Sequence, residues 1–489
     1  MNWLQNEDVA TWLGDQGNVL WGNIVLPVVI AAGLYFTIRT GAVQLRLLPN
    51  MLKTLTDKAL VDENGNKKSI SAFQAFTISA ASRVGVGNIA GVATAIAVGG
   101  AGAVFWMWTM AFIGGASSFV ESTLGQLYKR HGKDGYRGGP AYYMQHGLGA
   151  RWLGIIFAII LVVTFPFAFS SLQANTITAT ITGAVGLDAT ADAAQITTLS
   201  WVIGVALAVL TALVVFGGVR RIAKVTESLV PAMAVLYIVL GIVVVSMNIG
   251  QLPHVFGMIY SEAFNFNSAI GGGLGMVLLT GVKRGMFSNE AGLGSAPNAG
   301  ATASVTHPVK QGLVQTLGVY FDTFIVCTVT AFIILHTVPD AVGSEGGVAI
   351  TQLGLTNALG SWTGTLLAVI IFLLAFSSVI GNYYYGEANI GFITSNPTVM
   401  TVYRLLASLA VLGGAVAASS VVWNFADGIM GIMALLNLVA IILLSPKALA
   451  LLKHYTAQLR DGKDPVFLAS DMPGLRGIEC WEPSDVRTQ

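Results

Sequence analysis

The sequence reads as an all-α polytopic membrane protein with eleven transmembrane helices, a 5+5 inverted repeat preceded by one extra N-terminal helix. Three observations lead to that expectation. Apolar runs recur from about residue 20 to residue 452, lysine and arginine are distributed one-sidedly between them, and a nine-residue pattern occurs twice. Apolar residues make up 54% of the 489, charged residues only 10%, and mean hydropathy is +0.71. Ordinary soluble domains carry roughly a quarter charged residues.

A helix needs ~20 apolar residues to cross ~30 Å of hydrocarbon. By that measure the spans are expected at about 20–38, 72–98, 102–124, 152–184, 199–217, 226–248, 268–304, 313–338, 361–387, 398–420 and 424–452. The charges then sort themselves. Arg39, Arg46, Lys53, Lys58, Lys67 and Lys68 lie between spans one and two. Lys129, Arg130, Lys133, Arg137 and Arg151 lie between three and four, and Arg220, Arg221 and Lys224 between five and six. Lys310 lies between seven and eight, Arg404 near the start of ten, and the tail charges follow eleven. The opposite loops carry Asp188, Asp192, Glu262, Asp340 and Glu345 and no Lys or Arg. Basic loops stay in the cytoplasm, so the N-terminus is expected outside and the C-terminus inside. No cleavable signal peptide is expected from MNWLQNEDVATWLGDQG, which has no basic n-region.

The pattern Arg-x-x-x-x-Asn-x-Ala-Gly runs from Arg83 to Gly91 in span two and recurs 201 residues later, from Arg284 to Gly292 in span seven. Span two crosses outward and span seven inward, so the copies sit on helices of opposite direction. Charged, glycine-interrupted segments at bilayer depth are costly unless they line a cavity. Paired in two inverted halves, they mark the midplane binding site of a secondary transporter. The organisation expected is residues 1–71 (N-terminus, extra helix and basic loop), 72–250 (first five-helix repeat), 251–452 (second repeat) and 453–489 (tail).

Glycine costs about 1 kcal/mol in a helix interior. At Gly85 and Gly87, beside Arg83 and Asn88, that loosening is expected to free backbone N–H groups for a carboxylate and carbonyls for a cation. Gly91 and Gly99-Gly100 fit close helix packing instead. Asp322 lies deep in span eight, where an acid is a functional candidate by default. It is expected to hold a second cation or a proton, or else to pair with Arg83 or Arg284. Glu121, Glu227 and Glu387 sit near the cytoplasmic ends and are expected to be solvated or paired. His336 is expected at the outer interface.

Other classes fit less well. The two cysteines and six scattered histidines give no disulfide framework and no metal-ligand spacing. An enzyme would need a nucleophile–base pair or a metal cluster, and neither a Ser/His/Asp set nor HExxH is visible. A channel filter needs rings of carbonyls or charges, which an inverted repeat with broken helices does not call for.

RVGVGNIAGVA (83–93), RGGPAYYM (137–144), FSSLQAN (169–175), RGMFSNEAGLGSAPNA (284–299) and AFSSVIGNYYYGE (375–387) together resemble the alanine/glycine:cation symporter family over almost the whole chain. The resemblance implies a LeuT-type fold and an inner-membrane symporter that couples Na⁺, or H⁺, to uptake of small neutral amino acids such as alanine and glycine. A carrier for glutamine or serine is the alternative. It implies that Val86 and Gly87 offer amides to the substrate carboxylate, braced by Asn88. Gln173 would contact substrate, with an interhelical hydrogen bond as its alternative role, and Phe287, Ser288 and Asn289 would form the facing wall. It implies a Na⁺ site from the carbonyls of Ala81, Val84 and Leu374 and the hydroxyls of Ser377 and Ser378. Hard neutral oxygens suit Na⁺, although serines in helices also bond back to the i−4 carbonyl. Asn382 stands where many members carry tryptophan, which would polarise or enlarge the pocket. The expected partners are a small neutral amino acid, Na⁺ and membrane lipid, with no nucleic acid. Asn88 and Asn289 are expected near each other at mid-membrane, each beside an interruption in its helix. If Lys283-Arg284 instead marks the cytoplasmic interface, the pocket wall would come from Gly271–Thr280 and Phe287–Asn289 would belong to the inner gate.

Overall fold

Long apolar segments placed in lipid must satisfy every backbone group internally, which leaves the helix as the element for this composition. The computed structural model describes residues 6–61, 68–132, 135–187, 191–265, 273–344 and 346–486. Nine of its helices are long and apolar enough to cross a membrane, or ten when one sharply bent pair is taken as a single span. They are α1 (Glu7–Arg39), the bent pair α2 (Ala72–Arg83) and α3 (starting at Ala90 and ending at Gly99), α4 (Gly102–Leu127), α5 (Arg151–Val185), α6 (Ala193–Val215), α7 (Gly218–Met247), α10 (Pro308–Thr337), α12 (Thr363–Ile393), α13 (Pro397–Val416) and α14 (Ser419–Arg460). The segment expected as span seven is α8 (Gly273–Asn289) followed by a short α9 (Ala296–Gly300), and α11 is Val348–Leu359. The beginning of span seven, including the Gly271 end of the alternative break, and Lys67, Lys133, Asp188 and Glu345 lie outside the described residues. The first and last spans run well beyond their expected limits, since their helices continue into polar sequence. Hydropathy marks where the lipid is, while the backbone ladder continues as long as propensity allows.

Burial sorts the helices into layers. In α4 72% of the apolar window is buried, against 28% in α6 and 33% in α13. Hence α4 runs through the centre, and α6 and α13 present leucine and valine outward, among them Val205, Leu213, Leu405 and Leu409. Ser71 starts α2 with a capping box, its hydroxyl accepting the Gln74 amide while the Gln74 side chain accepts the Ser71 amide.

Two central helices contain π-helical turns, which often occur at functional sites. In α5 the turn covers Val163–Phe169 around Pro166, whose missing N–H opens the ladder. In α10 it covers Phe321–Cys327 and displays Asp322. The tail after α14 folds back on the end of the bundle that carries the basic loops. There Trp481 is buried, and Lys129 lies 4.0 Å from the Tyr136 ring and 4.1 Å from the Trp481 ring. Burial pulls the Lys129 ammonium down to about 8.

Candidate functional site

The bend between α2 and α3 is 60°, and it is made at Val84–Ile89. An unbroken helix would send the Gly85 amide to the Ala81 carbonyl; here it goes to Asn88 Oδ1 at 2.9 Å. The Asn88 amide goes to the Gly85 carbonyl at 3.2 Å rather than to Val84. The break therefore releases the two carbonyls expected to receive a cation. A Cβ added at Gly85 would lie 2.2 Å from Ser378 Oγ and 3.1 Å from Gln173 Oε1, so only glycine allows this approach. Ala81, Val84, Leu374, Ser377 and Ser378 are all buried and come together where α2 meets α12. Both serine hydroxyls donate to the Leu374 carbonyl, at 2.8 and 3.0 Å. Ser377 Oγ also lies 3.2 Å from Met233 Sδ, while each serine oxygen keeps its lone pairs as acceptors.

Of the two amides expected to meet a carboxylate, the Val86 N–H donates to Gln173 Oε1 at 3.1 Å. Gln173 thus occupies the position a substrate carboxylate would take. A Cβ on Gly87 would lie 2.9 Å from the Phe287 ring, which in turn packs 4.7 Å from Phe169 and 5.3 Å from Trp423. The three aromatic rings close over the unwound turn from one side.

The second break follows α8, at Glu290–Ser295, directly beside Asn289; the alternative of a loosened backbone at Gly271–Thr280 is corrected, because Gly273–Asn289 is continuous helix. Glu290 (φ 58°), Gly292 (φ 82°) and Gly294 (φ 79°) are left-handed, a conformation that costs a non-glycine residue energy and clusters at functional sites. Asn289 Oδ1 accepts the Ala291 amide at 3.0 Å. The next freed amides, of Gly292 and Gly294, donate to Glu121 at 3.3 and 3.0 Å, and Asn437 Nδ2 donates to it at 2.7 Å. Glu121 is fully buried, which corrects the expectation of a solvated or paired acid. It is the brace of the second break, and its position inside an apolar run is the signal that singles it out.

The two breaks meet on the π turn of α10. Asn88 Nδ2 donates to Asp322 Oδ1 at 2.6 Å, Ser288 Oγ to Asp322 Oδ2 at 2.7 Å, and Asn289 Nδ2 to Thr323 Oγ1 at 3.2 Å. Asp322 pairs with neither Arg83 nor Arg284, so that expectation is corrected. Arg284 forms a two-pronged pair with Asp427, 2.9 Å on each arm, and Lys283 adds a third contact at 3.3 Å. Arg83 donates Nη1 to the Gln315 carbonyl at 3.1 Å, while Nε and Nη2 have no hydrogen-bond partner among the described residues. Asn382 lies behind the first break, its Oδ1 2.7 Å from Ser82 Oγ. Asp427 and Glu290 are central to this arrangement and were not singled out from sequence. Beside Glu387 and Arg404, at the basic end, is a cavity of about 300 Å³ lined also by Tyr136, Arg137, Asn298 and Tyr384.

The arrangement offers hard oxygen donors next to freed amides at a bend between two broken helices. The model of the family described as "Sodium:alanine symporter family" matches residues 6–469. A Bacillus subtilis (strain 168) protein named "Probable sodium/glutamine symporter GlnT" is 47% identical over 97% of each chain. "Amino-acid carrier protein AlsT" of the same organism is 50% identical over 93% of this chain and 94% of its own. "Sodium/alanine symporter AgcS" of Methanococcus maripaludis is 36% identical over 90% of this chain and 95% of its own. The crystal structure of MhsT in complex with L-phenylalanine superposes with a TM-score of 0.56 at 16% identity, covering 79% of this chain and 99% of that one. At that identity the likeness concerns the fold.

Proposed function

The chain belongs to the sodium:alanine symporter family, and from that premise we propose that it couples Na⁺ entry to uptake of small neutral amino acids, alanine and glycine among them, by alternating access. The observation that carries this reading is the unwound turn Val84–Ile89, which brings the Gly85 backbone against Ser378, directs the Val86 amide to Gln173 and sets Gly87 against the Phe287 ring. In the proposed cycle Na⁺ enters among the Ala81 and Val84 carbonyls and the Ser377 and Ser378 hydroxyls and stiffens the turn. The substrate carboxylate displaces Gln173 from Val86 and reaches Gly87, and the released Gln173 amide turns to hydrogen-bond the substrate. Phe287, Ser288 and Asn289 form the opposite wall, and Asn382 polarises the rear of the site through Ser82. Asp322, joined to both breaks, is the candidate for a second cation or proton.

The reading keeps eleven spans in an inverted 5+5 arrangement (2–6 and 7–11), with the basic loops and the C-terminus in the cytoplasm of a prokaryotic inner membrane. The parallel use of Asn88 and Asn289 at the two breaks supports the repeat. A glutamine carrier is the second reading, favoured by the name of the relative that is 47% identical.

Uptake of labelled alanine, glycine, serine and glutamine into proteoliposomes, under separate Na⁺ and H⁺ gradients, tests the proposal. Accumulation of alanine or glycine on a Na⁺ gradient is expected; accumulation of glutamine alone selects the second reading, and no gradient-driven uptake rejects both. Gln173→Ala is expected to weaken amino-acid binding roughly ten- to a hundredfold, since losing a polar partner in a dry site costs ~1–3 kcal/mol. Binding isotherms that overlay the wild type would reduce Gln173 to a structural role.

A further inference from the structure

The buried acids around the two breaks differ in the kind of donor that surrounds them. Glu121 is held by three N–H groups, from Gly292, Gly294 and Asn437. An N–H has no lone pair to take a proton back, so a protonated Glu121 would lose one of those bonds. Asp427 faces Arg284 and Lys283. Asp322 has an N–H donor in Asn88 beside the hydroxyls of Ser288 and Thr323. Glu290 alone among these four is held only by hydroxyls, those of Ser82 and Ser295, each 2.6 Å from one carboxylate oxygen.

A hydroxyl both donates and accepts, so this pair suits the acid in either charge state. The chain behind it has the same property. Ser82 Oγ lies 2.7 Å from Asn382 Oδ1, and Asn382 Nδ2 has no hydrogen-bond partner among the described residues. With Glu290 protonated, its O–H donates to Ser82, whose own O–H donates to Asn382 Oδ1. With Glu290 ionised, the Asn382 amide turned end for end donates Nδ2 to Ser82, which donates to Glu290. Amide orientation is an assignment that the hydrogen-bond network decides, and here two donor–acceptor orders of the Glu290–Ser82–Asn382 chain share one set of atom positions.

No cation lies within ion-pair distance of Glu290 among the described residues. The charged or titratable groups facing it are Arg83 from α2, Asp322 from α10 and Tyr385 from α12. The Arg83 guanidinium acts on Glu290, Glu121 and Asp322 together, so one buried cation serves three buried acids. Glu290 also connects the moving parts: it is a left-handed residue of the second break, tied to Ser82 beside the first. Asn298, whose Nδ2 donates to the Ser295 carbonyl at 2.8 Å, lines the cavity at the basic end.

We propose that Glu290 is a proton-binding site whose charge state changes as the two breaks rearrange during transport. The proposal rests on the transporter reading above. The step is one proton transfer, made when the breaks part and water reaches the site: a hydronium ion gives its proton to a Glu290 carboxylate oxygen and becomes water, and the reverse transfer empties the site. An ionised Glu290 leaves the shared Arg83 to offset one more negative charge, which favours a bound cation nearby. A neutral Glu290 removes that pull.

The test is infrared difference spectroscopy on the full-length protein in vesicles, comparing Na⁺ plus amino acid with choline at a series of pH values. The wild type is expected to show a change in the carbonyl stretch of a protonated carboxyl. Glu290→Gln is expected to lose that band and to flatten the pH profile of uptake, and Glu290→Asp to keep the band at a shifted frequency. A band that persists unchanged in Glu290→Gln, or a wild type with no such band at any pH, overturns the proposal. Should Glu290→Gln fail to fold, an unshifted band in Glu290→Asp does the same. Na⁺-driven uptake by the wild type in the same vesicles separates the two claims. Its absence removes the transporter reading, and its presence with an unchanged band removes only the role of Glu290.

Discussion

Replacing Asp427 with alanine is expected to destabilise the protein by about 3–5 kcal/mol, the range for breaking a buried ion pair by removing one partner. Asp427 takes both arms of Arg284 and the Lys283 ammonium, and the Asp427 and Arg284 side chains are 5% and 8% exposed. Its removal would leave two cations in a dry region, with the Trp423 ring 4.5 Å from the Arg284 guanidinium and Asn18 Oδ1 3.3 Å from Lys283 Nζ as neutral contacts. Denaturation in detergent checks this, with Asp427→Asn expected to lose less because one acceptor remains. A variant as stable as the wild type would mean that the pair is already open to water.

Gly85→Ala is expected to abolish sodium dependence more completely than loss of either serine. The added carbon would lie 2.2 Å from Ser378 Oγ and 3.1 Å from Gln173 Oε1, so both side chains must move away from the turn. Overpacking of this kind costs about 1–3 kcal/mol, equivalent to roughly 5- to 150-fold in affinity. The backbone of Gly85 is extended (φ −145°), so the effect is one of contact and not of conformational strain. Sodium titration of uptake, alongside expression, separates lost binding from lost folding. A sodium dependence that matches the wild type would show that Ser378 can leave without consequence.

The repeated pattern carried much of the site because its two asparagines do equivalent work. Asn88 Oδ1 accepts the Gly85 amide and Asn289 Oδ1 the Ala291 amide, and their Nδ2 groups donate to the adjacent residues Asp322 and Thr323. Glycine beside asparagine in an apolar run is local information, and so the first break could be placed at Gly85–Gly87. The two arginines of the pattern diverge. Arg284 finds an aspartate 143 residues away, while Arg83 finds a backbone carbonyl. Nothing in the local sequence distinguishes them, because the partner is set by which helices pack together. The same holds for Glu121, whose partners Gly292 and Asn437 are 171 and 316 residues distant. Helix ends were illegible for another reason: hydropathy falls at the edge of the lipid, but α14 continues to Arg460 on backbone hydrogen bonds that need no lipid.

The central claim is that cation and amino acid share one unwound turn, and equilibrium binding tests it directly. Titrating the purified protein with the amino acid identified by vesicle uptake, in Na⁺ and in choline, measures the coupling between the two ligands. Coupling between sites typically amounts to about 1–3 kcal/mol, or roughly 5- to 150-fold in affinity, and is reciprocal. The expected result is tighter amino-acid binding in Na⁺ by a factor in that range, with the difference lost in the Ser377→Ala, Ser378→Ala double variant. Equal affinity in the two salts, or a sodium effect that survives the double variant, would contradict the shared site.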